Sequence, residues 1–380
     1  MNKDKQKALD GVLKGINKKF GEGTVTTAAK AADKLTKRVI KTSSVELNVM
    51  LGGGFTGIVE LFGPERSGKT SVTIETIAVN QKEDPDFVTA WLETEGSVTK
   101  EILESHNVDL NRVVYLGQED VGNAESAMDI LRSLIDSGTV DMVVLNSVAG
   151  LSPTVDVESE LIKQNVAPLA RLMGKFLRVI TGQCHKNKIC VVFINQIREK
   201  VGVLFGSPET TTGGRALAFY ADQKIRLNKI KLEKSDPVAK EDGMKVSCIT
   251  YKNRLIVQGN PYKECSYYVV YKTGINNVFS IPNILKNAGL ISISGAWFTY
   301  IDNATGKPMI IDGIECRWNG TKAFVSALES SETLCTYFKD LAESNGVSRD
   351  LAEEEINKIK EEEAKAEEEV VKILEEKKSE

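Results

Sequence analysis

The 380-residue sequence lacks several features on which whole classes of protein depend. It has two histidines, His106 and His185, which are too few for a histidine-based metal centre. Its six cysteines form no C-x-x-C pair, which argues against a zinc ribbon and favours reduced, mostly buried thiols. No apolar run approaches the length of a membrane span, and the N-terminus lacks the apolar core of a signal peptide. We therefore expect a cytoplasmic protein that does not enter a membrane.

The charge is unevenly distributed along the chain. The net charge is −4, and residues 353–380 contain twelve glutamates and six lysines, a net of −6. The rest of the chain therefore carries about +2. A near-neutral body with an acidic tail is compatible with nucleic-acid binding, provided that the basic contacts are local.

Apolar runs alternate with amphipathic segments between about residues 38 and 275. The candidate strands are Ile58–Phe62, Val88–Leu92, Val113–Leu116, Met142–Leu145 and Ile189–Ile194. The candidate helices are Thr70–Asn80, Ala124–Ile135 and Val166–His185. This alternation predicts an α/β fold with a mostly parallel sheet and helices on both faces. Three later runs without long helices between them predict antiparallel strands that extend one edge, namely Gln223–Ile230, Lys245–Thr250 and Ser266–Tyr271.

The segments outside residues 38–275 predict additions to this core. Residues 1–37 contain a short helix that is too small to fold alone, and that we expect to pack on this chain or on a neighbour. Its apolar face consists of Leu9, Val12, Leu13 and Ile16. Residues 276–345 predict a small α+β domain, and residues 346–380 predict a solvated, acidic Glu/Lys-rich helix.

A phosphate-binding P-loop is the most specific local signal. Eight residues fit the pattern G-x-x-x-x-G-K-[ST], and they are Gly63, Pro64, Glu65, Arg66, Ser67, Gly68, Lys69 and Thr70. A strand before them and a helix after them would direct backbone N–H groups and a helix N-terminus at phosphate. We expect Lys69 to reach the β- and γ-phosphates of a nucleotide and the Thr70 hydroxyl to bind Mg²⁺. The alternative is a glycine turn that binds nothing.

Polar residues follow two of the predicted strands, where ligands of α/β sheets bind. Glu93 and Glu95 follow the second strand, and one of them is a candidate general base, although both could be surface acids. Asn146 follows the strand that begins at Met142, where a P-loop ATPase normally places an acidic residue for Mg²⁺. Asn146 can hydrogen-bond a metal-bound water but adds no negative charge.

Over roughly residues 5–300 the sequence closely resembles the bacterial RecA recombinases. The resemblance is carried by DKQKALDGVLKGINKKFGEG, GPERSGKT, VDMVVLNSVAGLSP, FINQIREKVGVLFGSPETTTGG with RALAFYAD, and YKNR. It implies a RecA-type P-loop ATPase core with an N-terminal polymerisation arm, ATP and Mg²⁺ as cofactors, and DNA-stimulated hydrolysis. The implied partners are single-stranded DNA, homologous duplex DNA during strand exchange, and further copies of the chain in a helical filament.

The resemblance also assigns roles to residues that the local pattern leaves open. Glu95 matches the glutamate that activates water, and Gln196 matches the glutamine that senses the γ-phosphate. Lys252 and Arg254 match basic residues that reach the γ-phosphate of the neighbouring subunit. Together with Lys69 these residues form the implied catalytic set, and cations supplied in trans would stabilise phosphoryl charge.

Two long segments, Ser152–Asn165 and Ile197–Gly214, are predicted to be loops, and the resemblance makes them the DNA-binding loops. The implied DNA contacts are Val166, Arg171, Arg178, Ile197, Arg198, Lys200, Phe205, Gly213 and Gly214. Val166 and Ile197 could wedge between bases or could be packing residues. Phe205 is more consistent with anchoring its loop than with stacking on bases. The acidic tail would compete with DNA for basic surface.

Several departures from the family pattern indicate a divergent member, and a bacteriophage origin is a hypothesis that genomic context would test. Asn146 replaces an aspartate, Arg66 replaces a small P-loop residue, and Ile102 replaces a tyrosine that stacks on adenine. One alternative is a filament protein that binds ATP, hydrolyses it slowly and coats DNA without efficient strand exchange. For that alternative, Asn146→Asp is expected to raise turnover. A second alternative is a helicase-like motor, against which the retained DNA loops argue.

Overall fold

A computed structural model describes residues 2–32, 36–158, 167–199, 209–233, 236, 238, 242–255 and 263–346. The helices are α1 (Lys3–Phe20), α2 (Val45–Leu51), α3 (Lys69–Glu83), α4 (Lys100–Ser105), α5 (Gln118–Val121), α6 (Ala124–Ser137), α7 (Thr154–Glu158), α8 (Pro168–Asn187), α9 (Ala216–Tyr220), α10 (Ile281–Asn287), α11 (Gly320–Ser330) and α12 (Glu332–Gly346). Within the described ranges, no helix has the length and apolar character needed to cross a membrane.

The strands form one large sheet and three small ones. The strands are β1 (Val39–Ile40), β2 (Phe55–Thr56), β3 (Ile58–Gly63), β4 (Thr89–Glu93), β5 (Val113–Gly117), β6 (Met142–Asn146), β7 (Cys190–Glu199), β8 (Glu209–Thr211), β9 (Gln223–Ile230), β10 (Gly243–Asn253), β11 (Glu264–Val270), β12 (Gly274–Asn276), β13 (Ser292–Ser294), β14 (Trp297–Thr299), β15 (Ile310–Ile311), β16 (Ile314–Glu315) and β17 (Arg317–Asn319). The predicted elements differ from these by a few residues at their ends.

The large sheet is parallel in its centre and antiparallel at one edge. Its order is β12-β11-β10-β9-β3-β7-β6-β4-β5. The strands from β9 to β5 pair in parallel, whereas β9, β10, β11 and β12 pair antiparallel. The α/β fold class, the mostly parallel sheet and the antiparallel extension are therefore confirmed.

Strands β3, β4 and β6 are buried on both faces, which explains their largely apolar sequences. Along β4, Trp91 contributes to one hydrophobic cluster and Leu92 to the other. Helix α6 covers the second face and has well-formed ends. The Asn123 side chain accepts a hydrogen bond from Ser126 N at the start of α6, and Gly138 ends the helix in the left-handed region.

Both predicted loops are wrong in part. The predicted loop Ser152–Asn165 contains helix α7, and its residues 159–165 lie outside the described ranges. The prediction made Ile197–Gly214 a single loop, but β7 continues through Ile197 to Glu199 and pairs antiparallel with β8. Ile197 lies opposite Thr211, and Glu199 lies opposite Glu209. The polar Thr-rich composition concealed this hairpin, because strand prediction depends on apolar periodicity. The predicted helix Val166–His185 begins at Pro168, whose fixed φ suits the first turn.

The residues after Asn276 build a smaller α+β unit around its own hydrophobic cluster. β13, β14 and β17 form an antiparallel sheet. Trp318 stacks on Phe324 with a centroid separation of 4.0 Å. Val45 and Val49 of α2 belong to the same cluster, so this unit packs directly on the core.

Two partly buried carboxylates hold the segment that joins the core to this unit. Glu75 of α3 accepts a hydrogen bond from Ile275 N at 3.0 Å, and Glu75 Oε1 lies 3.8 Å from His106 Nδ1. Glu46 of α2 is hydrogen-bonded to Ser280. Burial raises the pKa of Glu75 and that of Glu46 to about 7 in each case. The joint therefore carries groups that titrate near neutral pH.

Glu75→Gln is expected to flatten the dependence of folding stability on pH. A raised pKa means that the folded protein binds this proton more tightly than the unfolded chain does. The stabilisation is complete below about pH 4.5 and is lost as the pH rises through about 7. The loss for one such carboxyl is up to about 3 kcal/mol at about 1.4 kcal/mol per pKa unit.

Urea unfolding at pH 5 and pH 8 measures this effect. The wild type should lose more stability than Glu75→Gln between the two conditions. Glu104→Gln is the matched control, because Glu104 is exposed and pairs with Lys100 one helical turn away. Equal pH dependence in all three proteins would contradict the assignment.

Candidate functional site

The P-loop connects the end of β3 to the start of α3, as the sequence pattern predicts. Gly63 is the last residue of β3, and a Cβ atom there would lie 2.0 Å from Leu227 O on β9. Only glycine therefore allows β9 to approach the loop this closely. Gly68 precedes α3 in the left-handed region, and no side chain caps the helix. The first N–H groups of α3 are thus available to an anion.

Lys69 is held inside this loop. Its Nζ atom donates hydrogen bonds to Gly63 O at 3.1 Å, Pro64 O at 2.7 Å and Ser67 Oγ at 3.3 Å. Burial lowers the pKa of Lys69, while the charges of Glu95 and Glu65 oppose the shift. These acceptors are neutral, so phosphate oxygens would be stronger partners for the ammonium group. The Arg66 side chain is exposed.

The structure distinguishes the two carboxylates that follow β4. Glu93 is only 2% exposed, whereas Glu95 is exposed. Glu95 Oε1 accepts hydrogen bonds from Ser147 Oγ and from Gln196 Nε2, the latter at 2.6 Å. Glu95 therefore combines access to solvent with a direct contact to the end of β7. Of the two carboxylates, only that of Glu95 is open to solvent.

The buried carboxylate of Glu93 accepts hydrogen bonds from several neighbouring groups. Its Oε2 atom accepts hydrogen bonds from Trp91 Nε1 and Asn146 Nδ2, both at 2.9 Å. Its Oε1 atom accepts from Glu95 N at 3.1 Å and Ser97 N at 3.2 Å. Glu93 thus fixes the turn that carries Glu95.

Asn146, at the end of β6, has a side-chain oxygen without a hydrogen-bond partner among the described residues. Its amide nitrogen is bonded to Glu93, whereas this oxygen, Asn146 Oδ1, is buried. A buried acceptor without a partner is unusual and calls for a water or an ion. An amide oxygen, as in Asn146, and a hydroxyl, as in Thr70, are oxygen ligands of the kind that suits Mg²⁺ and its bound waters.

Lys252 and Arg254 contact a different part of the chain. Lys252 Nζ donates to Ala218 O at 3.0 Å and Phe219 O at 2.8 Å, and Arg254 Nη2 donates to Phe219 O at 3.3 Å. Arg254 also lies 3.6 Å from Asp222. Their polar partners within the described part of the chain are thus on and near α9, not in the P-loop. Burial and the nearby Arg254 charge lower the pKa of Lys252.

Helix α8 presents a cationic face. The predicted DNA contacts Arg171 and Arg178 are exposed, and Lys175 is exposed between them. The opposite face is buried through Met173, Phe176, Leu177 and Ile180. Lys175 was missed by the sequence interpretation, although its i+4 spacing from Arg171 places it on the same face.

The second predicted DNA segment lies against this helix. Gly213 and Gly214 have positive φ angles, and a Cβ atom on Gly214 would lie 2.8 Å from Ala170 Cβ. These glycines thus permit close packing on α8. Ile197 and Arg198 lie in the β7–β8 hairpin, where Arg198 is exposed. The other predicted DNA contacts, Val166, Lys200 and Phe205, lie outside the described residues.

A comparison with known protein families agrees with this geometry. The family model for the RecA N-terminal domain matches residues 7–276. The chain belongs to the RecA family. The resemblance inferred from the sequence is therefore confirmed. The matched segment contains the P-loop, Glu95, Asn146, Gln196 and the Lys252–Arg254 pair.

Individual RecA proteins are similar over most of their length. Protein RecA of Streptomyces rimosus is 38% identical over 307 residues, which cover 80% of this chain and 79% of that protein. Protein RecA of Heliobacterium modesticaldum is 37% identical over 309 residues, covering 80% of this chain and 86% of that protein. Protein RecA of Aquifex aeolicus is 36% identical over 307 residues, with 80% and 86% covered.

Proposed function

We propose that this RecA-family protein is an ATP-dependent DNA recombinase. It forms helical filaments on single-stranded DNA, hydrolyses ATP in a DNA-stimulated reaction, and pairs the bound strand with homologous duplex DNA. The hydrogen bond between Glu95 and Gln196 is the observation that carries the proposal, because it joins a nucleotide site to a DNA-facing hairpin.

The P-loop supports the nucleotide part of the proposal. Lys69 and the uncapped start of α3 would hold the phosphates of ATP, and Thr70 and Asn146 would hold Mg²⁺ and its waters. Bound Mg²⁺ neutralises charge on the phosphates. Glu95 would orient a water and accept its proton, since Glu95 is exposed and lies near Lys69.

The coupling between nucleotide and DNA would run along β7. Gln196 contacts Glu95, and the next residues of the same strand form the hairpin with β8. The end of that hairpin packs on α8 through Gly213 and Gly214. A change in the hairpin on DNA binding would shift the Gln196 amide and reorient Glu95.

The DNA path would follow the cationic face of α8. Arg171, Lys175 and Arg178 project from one side of a helix whose other side is fixed in the core. Arg198 adds a fourth exposed cation on the hairpin. Such a row suits a phosphate backbone and gives affinity that falls with salt.

Unburied apolar surface supports assembly into a filament. Helix α1 has 18 residues, and none of them is buried. An isolated helix of that kind gains its stability from packing, so its apolar face would dock on a neighbouring subunit. Phe219 is 71% exposed beside Lys252 and Arg254. That surface would meet the next subunit and direct both cations at its nucleotide.

A DNA-pairing assay tests the proposed reaction. Wild-type protein with ATP should form joint molecules from single-stranded DNA and homologous duplex, and none from heterologous duplex. Lys69→Ala should abolish the reaction. Lys82→Ala is the matched control, because Lys82 is exposed in the last turn of the same helix. Joint molecules from Lys69→Ala, or strand displacement without homology, would contradict the proposal.

Lys175→Ala is expected to weaken binding to single-stranded DNA and to reduce its salt dependence. Loss of one phosphate contact should lower the slope of log K against log salt by about 0.7. Arg132→Ala is the control, because Arg132 is an exposed cation on α6 that pairs with Asp136. Fluorescence anisotropy over a salt series measures both slopes. An unchanged slope for Lys175→Ala would remove this residue from the DNA path.

A further inference from the structure

The negative charge beside the proposed Mg²⁺ site lies on a different strand from the usual one. In P-loop ATPases an aspartate at the end of the Walker B strand helps to hold Mg²⁺. Here that strand, β6, ends in the neutral Asn146. Glu93 ends the adjacent strand β4 and lies directly opposite Asn146 in the sheet register. Its Oε2 atom accepts the Asn146 amide hydrogen bond at 2.9 Å.

We propose that Glu93 supplies the negative charge that Asn146 lacks. Together, the two residues would replace the aspartate that usually ends the Walker B strand. The inference rests on the proposed ATP site and assigns Glu93 a positioning role in it. Glu93 orients the Asn146 amide, so that Asn146 Oδ1 is directed away from Glu93 and stays available to a metal-bound water. The Glu93 carboxylate would attract Mg²⁺ electrostatically, and Asn146 Oδ1 would contact a water bound to the metal.

The hydrogen bonds around Glu93 explain why the charge can be buried. Glu93 accepts four further hydrogen bonds, from Trp91 Nε1, Glu95 N, Ser97 N and Ser97 Oγ. Several donors to one carboxylate replace the hydrogen bonds to water that burial removes. The two donors Glu95 N and Ser97 N belong to the turn that carries Glu95. The same carboxylate therefore positions both Asn146 and the general base.

For Asn146→Asp, this arrangement predicts the opposite of the increased turnover expected for a slowly hydrolysing filament protein. An aspartate at position 146 would put a second carboxylate against Glu93 Oε2, where the Asn146 amide now donates. Two adjacent carboxylates cannot both ionise without strong repulsion. The single substitution is therefore expected to harm the site. The double variant that combines Asn146→Asp with Glu93→Gln should restore a carboxylate–amide pair. In this pair the carboxylate is on residue 146 and the amide on residue 93.

A charge-exchange cycle of four proteins tests the inference. These are the wild type, Asn146→Asp, Glu93→Gln and the double variant. The first readout is the Mg²⁺ dependence of binding of a fluorescent ATP analogue, measured without DNA. Each single variant should need about tenfold more Mg²⁺, as is typical when a residue supporting a metal site is lost. The double variant should recover to within about threefold of the wild type.

The second readout is the unfolding temperature of the nucleotide-free proteins. Asn146→Asp should lower it, and the double variant should recover most of the loss. The inference is wrong if Asn146→Asp binds with wild-type Mg²⁺ dependence, or if the double variant is no better than the two single variants. A variant that fails to fold is replaced by Glu93→Asp in the same Mg²⁺ titration. Glu93→Asp keeps the charge and should outperform Glu93→Gln, and equal behaviour of these two variants would also overturn the inference.

The cycle is independent of DNA pairing. Recovery in the double variant together with absent joint molecules would leave the inference standing and contradict the proposed recombinase. If the wild type forms joint molecules but the double variant does not recover, the proposed recombinase stands and the inference is contradicted.

Discussion

The alignment of parallel strand ends is the constraint on which the candidate site depends. Gly63 of β3 lies opposite Gln196 of β7, and Glu93 of β4 lies opposite Asn146 of β6. The ends of β3, β4 and β6 thus meet Gln196 of β7 at one edge of the sheet, where α/β proteins bind ligands. A one-residue slip in any of them would turn its terminal side chain to the other face. The apolar clusters on both faces of the sheet hold this register.

The same strands extend the nucleotide site toward a second surface. β7 does not stop at the sheet edge but continues beyond Gln196 into the hairpin with β8. Helix α8 lies against the end of that hairpin, and its exposed face carries Arg171, Lys175 and Arg178. One hydrogen bond, from Gln196 to Glu95, therefore connects the proposed nucleotide site to a cationic surface. Under the proposed function, this continuity would let DNA and nucleotide affect each other.

The sequence predicts the parts of the molecule that depend on local pattern. The P-loop and the strand–helix alternation were predictable, since spacing and apolar periodicity specify them. The β7–β8 hairpin was not, because its Thr-rich strand has little apolar periodicity. Local pattern leaves the choice between Glu93 and Glu95 open, and only the family resemblance points to Glu95. The burial of Glu93 depends on the path of its side chain after the strand end, which composition cannot specify. The Glu93–Asn146 contact joins residues 53 positions apart and follows only from the parallel register.

The most direct test of the coupled site is ATP turnover with and without single-stranded DNA, measured over a salt series. The account predicts strong stimulation by DNA that falls as salt weakens the phosphate contacts. Equal turnover with and without DNA would contradict the coupling through Glu95 and Gln196. Negligible turnover with DNA binding that still requires ATP would instead identify a slowly hydrolysing filament protein.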